Sequence, residues 1–474
     1  MAEIVDHELH IVMFPWLAFG HMIPFIEVAK HMARKGHRIS FVSTPQNIDR
    51  LPRISPELTT LIDFVKIPLP AVENLPENAE ATSDLTYDKV QYLKKAYDLL
   101  REPMTRLLES LAPDFVIYDF VPYWLGPIAR NLGIKTAMFS IYIAATLVFT
   151  GPTWASMGGD HRKRPEDFTV PPEWVPFKTH VAFPYFAIKR IFDAVEGNAS
   201  GVSDMHRFGA AEEGADIITL RSSYEVEPEW LKLLEELHQK PVFPVGQLPP
   251  PSAGDCNSRD ETKSWQRIKQ WLDLQRKSSV VYVAFGSEAK PSQDELTKIA
   301  LGLEKSGLPF FWVLRTQLGS SDTDSVKLPD GFEERVKGRG FVWTTWAPQV
   351  SILANDSVGG ILTHSGWGSV VEALCFERAL ILFALLSDQG LNVRFMEEKK
   401  MGYPIPRNES DGSFTSDDVA ESLRLVLVEE EGKVYRDKAK EMKEVLGNPH
   451  LQEQYMDNLL NHMKANRPMT RSNK

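Results

Sequence analysis

The chain has 474 residues, of which 43% are hydrophobic and 25% charged, and its formal net charge is −11. This length exceeds what one hydrophobic core supports, so we expect two folded domains of roughly 200 residues each. The negative charge argues against nucleic acid or an anionic membrane as the main partner, because both bind basic surfaces. The two cysteines, Cys256 and Cys375, stand far apart without a CxxC pattern, so neither a disulfide framework nor a zinc site is predicted.

The sequence predicts neither a secretory signal nor a membrane-spanning segment. The opening residues, MAEIVDHELHIVMFPW, lack the basic start and the uninterrupted apolar run of a secretory signal. The apolar stretch at 139–149 is too short to span a bilayer. We therefore expect a cytoplasmic protein without integral membrane association, and we expect it to act as a monomer.

The first part of the chain predicts a strand–helix–strand unit. His10–Phe14 is a short apolar strand, the loop PWLAFGH follows, and a helical pattern runs to Gly36, which suits a C-cap. Residues 37–44 predict the second strand, and a similar strand at 115–118 ends at Asp119. Strands alternating with helices predict a parallel, doubly wound sheet that binds ligands at the carboxyl ends of its strands.

A break in regular structure is predicted at the segment GQLPPPSAGDCN, because three consecutive prolines and small polar residues disfavour helix and strand. A capping box at Ser292 and Glu295 then predicts a helix that runs to Glu304. The further strands are predicted at 279–285, 310–314, 341–346, 358–363 and 379–385. These patterns divide the chain into an N-terminal Rossmann-like domain, a linker, a C-terminal Rossmann-like domain and a final helix that packs back on the N-terminal domain, with bounds 1–245, 246–260, 261–448 and 449–474. We expect the two domains to face each other across a cleft.

The most informative segment is WAPQVSILANDSVGGILTHSGWGSVVEALCFERALILFALLSDQ, at 346–389. A buried strand is predicted to end at His364, and a helix to begin directly after it in the run Ser365-Gly366-Trp367-Gly368-Ser369. Glycines allow a ligand to approach the backbone, and free N–H groups at a helix start bind anions. This part of the segment therefore predicts a diphosphate site.

Other side chains of the segment suit the rest of a nucleotide sugar. Trp346, predicted to close a strand, offers a flat face to a base. Glu372 lies three residues after Ser369, hence on the same helical face, where its carboxylate can accept hydrogen bonds from ribose hydroxyls. Asp388 and Gln389, predicted to close the next strand, offer acceptors and donors to sugar hydroxyls.

These motifs resemble the donor-binding signature of plant family-1 UDP-dependent glycosyltransferases. The likeness covers nearly the whole chain, including the opening FPWLAFGHMIPF, Asp119 and the Gly286-Ser287-Glu288 turn. It implies a GT-B-type fold, an acceptor-binding first domain, a UDP-sugar-binding second domain, and neither a prosthetic group nor a metal. It further implies that Trp346 stacks on uracil, that Gln349 and Glu372 bind the ribose, and that His364 and Ser369 bind the diphosphate. Trp367 would lie near the donor, and Asp388 and Gln389 would bind the sugar. The other positions implied at the donor site are Gly20, Ser287, Ala347 and Gly368.

The chain departs from that signature at three positions. Gly368 stands where the family usually has Asn, and Ser365 stands where it usually has Cys. Ala384 lies near the position at which the family usually has Pro. Loss of the Asn side chain removes one expected contact to the phosphate or the sugar. The combination of FPWLAFGH, GSE and DQG resembles the subgroup that extends existing sugars on flavonoids and terpenoids, some members of which act on aglycones.

A catalytic pair is predicted in the first half. Displacing UDP from an anomeric carbon requires a deprotonated acceptor hydroxyl, and hence a general base. His21 is predicted in the loop after the first strand and Asp119 at the end of another, and a carboxylate on one ring nitrogen would leave the other to take the proton. The resemblance implies that this pair is catalytic and that the anomeric carbon inverts. The helix start at 365–369, His364 and the Ser287 turn would meet the charge that builds on UDP, so no metal is required.

The acceptor and some alternatives remain open at this stage. The aromatic residues Trp16, Phe19, Tyr123 and Tyr142 either line an acceptor pocket or belong to the core. Asp388 and Gln389 suit glucose, with rhamnose as the other donor. A nucleotide-sugar epimerase or hydrolase and a non-catalytic UDP-sugar-binding protein would share the predicted fold. The aromatic richness of the first half disfavours the epimerase, and the presence of both His21 and Asp119 disfavours the binding protein.

Overall fold

The computed structural model describes residues 8–195, 198–250, 263–286, 291–314 and 327–468. The remainder of the predicted linker, from residue 251 onwards, lies outside these described residues. Within them, the β-strands are β1 (His10–Phe14), β2 (Arg38–Ser43), β3 (Ile62–Lys66), β4 (Phe115–Tyr118), β5 (Lys135–Ser140), β6 (Ile217–Leu220), β7 (Val242–Pro244), β8 (Val280–Ala284), β9 (Phe310–Val313), β10 (Gly340–Trp343), β11 (Val358–Thr363), β12 (Ala379–Leu382) and β13 (Gly402–Pro404).

The same parts of the chain contain the α-helices α1 (Phe19–Arg34), α2 (Pro45–Arg50), α3 (Val90–Asp98), α4 (Arg101–Leu111), α5 (Leu125–Asn131), α6 (Ala144–Thr150), α7 (Tyr185–Val195), α8 (Asp204–Gly214), α9 (Pro228–His238), α10 (Lys263–Asp273), α11 (Gln293–Ser306), α12 (Phe332–Arg335), α13 (Gln349–Ala354), α14 (Trp367–Cys375), α15 (Gln389–Glu398), α16 (Ser416–Leu427), α17 (Lys433–Leu446) and α18 (Pro449–Ala465). No helix among the described residues is long and apolar enough to cross a membrane.

Two compact units make up the chain. Unit 1 comprises Met1–Lys163, Ala194–Leu248 and Pro449–Lys474, and unit 2 comprises Arg164–Asp193 and Pro249–Asn448. In unit 1, the described strands form a parallel sheet in the order β3-β2-β1-β4-β5-β6-β7, and in unit 2 a parallel sheet in the order β10-β9-β8-β11-β12-β13. Both units are therefore doubly wound α/β folds of the Rossmann type, as the alternation of strands and helices predicts.

Burial of the strands explains why their sequences read as continuous apolar runs. Every residue of β1 and β4 is buried, because helices cover both faces of a parallel sheet. On one face Phe25 of α1 packs against Phe139 of β5 with ring centroids 4.8 Å apart, and on the other Phe14 stacks on Tyr97 of α3 at 4.8 Å. These packed faces fix the ends of the strands, and hence the loops that follow them.

One segment lies in a different unit from the one its sequence position predicts. Residues Arg164–Asp193 precede the linker, so the sequence assigns them to the N-terminal domain, but they pack in unit 2. The reason is specific contact with unit 2: the Thr179 hydroxyl and the His180 N–H both donate to Glu398 Oε2, at 2.9 and 2.8 Å. Helix α18 contacts α1 and β7 of unit 1. The Gln452 amide oxygen of α18 accepts from the Gln247 N–H at 2.7 Å, within the predicted linker.

Several element bounds also differ from prediction. Helix α1 begins at Phe19, so His21 lies in its first turn and not in a loop. Strand β10 ends at Trp343 and β12 at Leu382, each three residues before the predicted end. The Phe383 N–H still bonds to the Thr363 carbonyl of β11, but the N–H groups of Leu385 and Leu386 bond to the Gln389 side chain instead of a neighbouring strand. Helix α18 begins at Pro449, which suits the first position of a helix because proline lacks the N–H that would be unpaired there.

Candidate functional site

His21 and Asp119 meet at the carboxyl edge of the unit 1 sheet. His21 follows β1 and Asp119 follows β4, and these two strands are paired in parallel, so their carboxyl ends lie side by side. The Nδ1 of His21 lies 2.7 Å from Oδ2 of Asp119, and both side chains are buried. The same carboxylate accepts from the Trp16 N–H at 3.1 Å and from the Phe120 N–H at 2.8 Å. Three donors therefore hold the carboxylate in one orientation.

This geometry determines what the imidazole can do. With Nδ1 donating its hydrogen to the carboxylate, Nε2 carries the lone pair and is the atom able to accept a proton. The carboxylate would then stabilise the imidazolium ion that results. The pair therefore has the arrangement of a general base and its orienting group.

Aromatic rings surround the imidazole of His21. The ring of Tyr142 meets it edge-on with centroids 5.7 Å apart, and that of Phe120 lies 5.9 Å away. Phe208 of α8 stacks on Phe120 at 4.2 Å and meets Tyr142 at 5.5 Å. We name Phe120, Tyr142 and Phe208 the aromatic wall. The imidazole therefore lies against apolar rings on this side.

The rings of the other aromatic residues predicted for an acceptor pocket make different contacts in unit 1. The Trp16 indole is 4% exposed and packs edge-on against Tyr97, so it belongs to the core. Phe19 is half-buried, with the guanidinium of Arg50 5.4 Å from its ring. The Tyr123 ring lies 5.1 Å from the guanidinium of Arg207.

In unit 2, the His364 ring lies in a space that two glycines leave. A Cβ on Gly286 would come within 2.9 Å of its Cε1 and Nε2, and a Cβ on Gly366 would lie 2.5 Å from Nε2. Gly286 also has a φ of +77°, a backbone conformation that residues with a Cβ rarely adopt. Burial lowers the pKa of His364 to about 4, so its imidazole is neutral at pH 7 and offers an N–H rather than a charge.

Three residues predicted for the donor form one hydrogen-bonded network. The Gln349 amide nitrogen donates to Glu372 Oε2 at 2.7 Å and lies 3.1 Å from Ser369 Oγ. Glu372 and Ser369 share a face of α14, as their spacing predicts. The Tyr282 hydroxyl of β8 donates to the Gln349 amide oxygen at 3.3 Å. Sequence reasoning missed Tyr282, because nothing local distinguishes it from a core residue of its strand.

The two tryptophans of the segment differ in exposure. Trp346 is 54% exposed and lies in the loop after β10, where its carbonyl accepts from the Trp343 indole N–H at 3.1 Å. Trp367 is 4% exposed and packs against Phe395, with ring centroids 6.3 Å apart. Ala347 is buried beside Trp346. Of the two indoles, Trp346 therefore has the free face that stacking on a base requires.

Gln389 organises the loop that precedes α15. Its amide oxygen accepts from the N–H groups of Leu385 and Leu386, at 2.8 and 2.9 Å. These two bonds draw the backbone away from the sheet, which is why β12 ends early. They occupy the amide oxygen and leave the amide nitrogen as the group suited to a ligand oxygen. We name residues 384–389 the sugar loop, after the prediction that Asp388 and Gln389 bind the sugar.

Asp388 is connected to the start of α14. Its Oδ2 accepts from the Asn392 amide nitrogen at 2.7 Å, and that nitrogen also lies 3.2 Å from the Ser365 carbonyl oxygen. Asn392 therefore joins the residue predicted for the sugar to the segment predicted for the diphosphate. Sequence reasoning missed Asn392, although its position four residues after Asp388 in a helical pattern was a usable signal.

The remaining predicted positions are spread over both units. Gly20 lies exposed in the first turn of α1, and Gly368 is half-buried in the first turn of α14. Ser365 has a φ of +70°. Its buried hydroxyl makes no hydrogen bond with the described residues. Ser287 lies outside the described residues. Across the described ranges, no group of three His, Cys, Asp or Glu side chains could hold a metal ion.

Known structures assign the class of the fold. The crystal structure of UGT73P12 of Glycyrrhiza uralensis complexed with glycyrrhetinic acid 3-O-monoglucuronide aligns with a TM-score of 0.77 at 21% identity, covering 97% of this chain and 96% of that one. The fold is therefore the GT-B type of glycosyltransferases, with two Rossmann-like units.

Sequence comparisons assign the family. The profile of the family "UDP-glucoronosyl and UDP-glucosyl transferase" matches residues 238–446. UDP-glycosyltransferase 91A1 of Arabidopsis thaliana is 52% identical over 97% of both chains. Soyasaponin III rhamnosyltransferase of Glycine max is 41% identical, over 98% of this chain and 97% of its own. The chain belongs to the plant family-1 UDP-glycosyltransferases. It is a glycosyltransferase with a UDP-sugar as co-substrate, which decides against the epimerase, the hydrolase and the non-catalytic binding protein.

Proposed function

We propose that the protein transfers a hexose, with inversion, from a UDP-sugar to a hydroxyl of a small hydrophobic natural product. The single observation that carries the proposal is the buried 2.7 Å contact between His21 Nδ1 and Asp119 Oδ2. Unit 1 then binds the acceptor and unit 2 the donor. We favour a flavonoid or terpenoid, or a glycoside of one, as the acceptor.

The proposed reaction is a single displacement. Nε2 of His21 takes the proton of the acceptor hydroxyl, and the hydroxyl oxygen forms a bond to the anomeric carbon. The bond from that carbon to the UDP oxygen breaks at the same time, and UDP departs with the electron pair. Asp119 stabilises the imidazolium, while the N–H groups at the start of α14 and His364 stabilise the charge on the diphosphate.

The donor and acceptor are the finer part of the proposal. Trp346 stacks on uracil, Gln349 and Glu372 bind ribose, and Asp388 and Gln389 bind the sugar. We favour glucose, because the sugar loop offers a carboxylate and an amide to hydroxyl groups. Rhamnose is the second candidate, supported by the similarity to the soyasaponin rhamnosyltransferase. The aromatic wall supports an acceptor with flat or fused rings.

The test crosses UDP-glucose and UDP-rhamnose with flavonoid and terpenoid aglycones and their glycosides, using purified protein. A product that carries one additional hexose with inverted anomeric configuration is expected. The His21→Ala variant should lose turnover while it still binds UDP, which calorimetry measures. Unchanged turnover in this variant would refute the mechanism. Incubation with donor alone is the control for hydrolysis.

A further inference from the structure

The segment Arg164–Asp193, which we name the strap, packs on both ends of α15. At the carboxyl end, Glu398 accepts the two hydrogen bonds from Thr179 and His180 described above. At the amino end, a Cβ on Gly390 would lie 2.9 Å from Cδ1 of Phe183 and 3.3 Å from Cδ of Pro184. Gly390 directly follows Gln389. The strap therefore touches the helix immediately beside one of the two residues proposed to bind the sugar.

The strap also reaches the other end of the sugar loop, through an arginine. The guanidinium of Arg407 lies between the rings of Phe186 and Phe383, 4.4 Å from each centroid. One of its nitrogens donates to the carbonyl of Ala384 at 2.9 Å. A second nitrogen donates to Glu295 Oε1 at 2.8 Å. Phe186 thus packs against the Arg407 guanidinium, and Arg407 holds the first residue of the sugar loop by a hydrogen bond.

Phe186 is itself fixed in place. Its N–H donates to the carbonyl of Glu409 at 3.2 Å, and its side chain is buried. A Cβ on Gly412 would come within 2.7 Å of its ring, so that glycine is needed where the strap passes. Phe183 therefore packs just after the last residue of the six-residue sugar loop, and Phe186 packs on the arginine that holds its first residue. The Gln389 amide holds the interior of the loop.

We propose that the strap is a positioning element for donor-sugar recognition: Phe183 and Phe186 set the geometry of the sugar loop through Gly390 and Arg407. The inference rests on the proposed function, because it needs Asp388 and Gln389 to bind the sugar. It adds a group of specificity-determining residues that lie far from the donor segment in sequence. Changes in the strap should therefore alter the affinity for the complete UDP-sugar and leave the affinity for UDP, which lacks the sugar, unchanged.

The experiment compares UDP with UDP-glucose and UDP-rhamnose in calorimetry of the full-length protein. Phe183→Ala and Phe186→Ala should each weaken binding of the preferred UDP-sugar by about tenfold, the effect expected when a displaced sugar loop loses roughly one hydrogen bond to the sugar. UDP affinity should stay within about twofold of wild type. Phe192→Ala, which removes a ring contact to Phe168 inside the strap, is the matched control and should change neither affinity.

Two further variants keep the test decisive if the alanine variants fold poorly. Phe183→Leu retains most of the apolar volume and should give a smaller loss in the same direction. Gly390→Ala should weaken UDP-sugar binding, because the added Cβ overlaps the Phe183 ring. In the double variant Phe183→Ala removes this overlap, so the loss of affinity should be smaller than the sum of the two single losses. Equal weakening of UDP and UDP-sugar, unchanged affinity for both, or additive effects would overturn the inference. Failure of wild type to bind any UDP-sugar would instead refute the proposed function.

Discussion

The Nδ1 of His21 lies 2.7 Å from Oδ2 of Asp119, although 98 residues separate them in the chain. The contact exists because β1 and β4 are neighbours in a parallel sheet, so residues that follow the two strands share one edge. Burial removes competing water from the pair. The result is a histidine with a fixed tautomer beside an aromatic wall.

The first prediction concerns the carboxylate. Asp119→Asn should lower kcat by about 10²- to 10⁴-fold, because an amide cannot stabilise the imidazolium and favours the wrong tautomer. One amide oxygen cannot replace two carboxylate oxygens, which together accept from Trp16, Phe120 and His21. UDP affinity should be unchanged, as calorimetry can check. A variant with wild-type kcat would contradict the role of Asp119.

The second prediction separates an exposed tryptophan that binds ligand from one that does not. Trp346→Ala should weaken UDP binding by about 1–3 kcal/mol, the usual contribution of an aromatic ring stacked on a base. Its effect on stability should stay within about 0.5 kcal/mol, since the indole is 54% exposed. Trp154, which is 55% exposed in unit 1, is the matched control. Equal UDP affinity in the two alanine variants would refute the stacking role.

The third prediction uses the glycine that makes room for His364. Gly366 has a φ of −66°, so alanine fits the backbone and disturbs only the ring, whose Nε2 lies 2.5 Å from the added Cβ. Gly366→Ala should therefore weaken UDP binding by about tenfold or more, the cost of one hydrogen bond to a charged group. In a His364→Ala background the same change should have little effect. Additive losses in the double variant would show that the ring is not involved.

The fourth prediction concerns stability and pH. Glu227 is fully buried and accepts from the N–H groups of Ala144 and Ala145 at the start of α6, the helix that follows Tyr142. Burial raises the pKa of Glu227 to about 7, despite these hydrogen bonds. Between pH 4.5 and 7 the folded protein keeps a proton that the unfolded chain loses, so this group's contribution to stability falls as pH rises.

Glu227→Gln lacks this titration. The free energy of unfolding of wild type relative to the variant should therefore decrease from pH 4.5 to 8, by up to about 3 kcal/mol. Urea unfolding of both proteins across this range measures the difference, and the histidines that titrate in both proteins cancel. A difference that is constant or rises with pH would contradict the assignment.

Local sequence predicted much of the fold because buried parallel strands are apolar throughout. The strands β1, β4 and β11 have their predicted bounds, and the capping box at Ser292 and Glu295 opens α11 as expected. The predicted ends of β10 and β12 were wrong, because side-chain contacts of Trp343 and Gln389 turn the backbone there. Such contacts depend on the fold and leave no periodic pattern.

In the candidate site, too, some features follow from the sequence and others depend on the fold. Resemblance predicted the donor residues, and helical spacing placed Glu372 and Ser369 on one face, where both lie within hydrogen-bonding distance of the Gln349 amide nitrogen. Neither could indicate that Trp367 is buried, or that Phe208 would stack on Phe120.

By itself, the sequence determined the class of fold and the residue types of the segment predicted to bind the donor, since hydrophobic periodicity, glycines and caps act over a few residues. Only the tertiary structure decided which distant residues meet. His21 meets Asp119 because their strands pair, and the strap packs in unit 2 because its side chains find partners there. Such pairings depend on the packing of the whole unit, which no local stretch of sequence specifies.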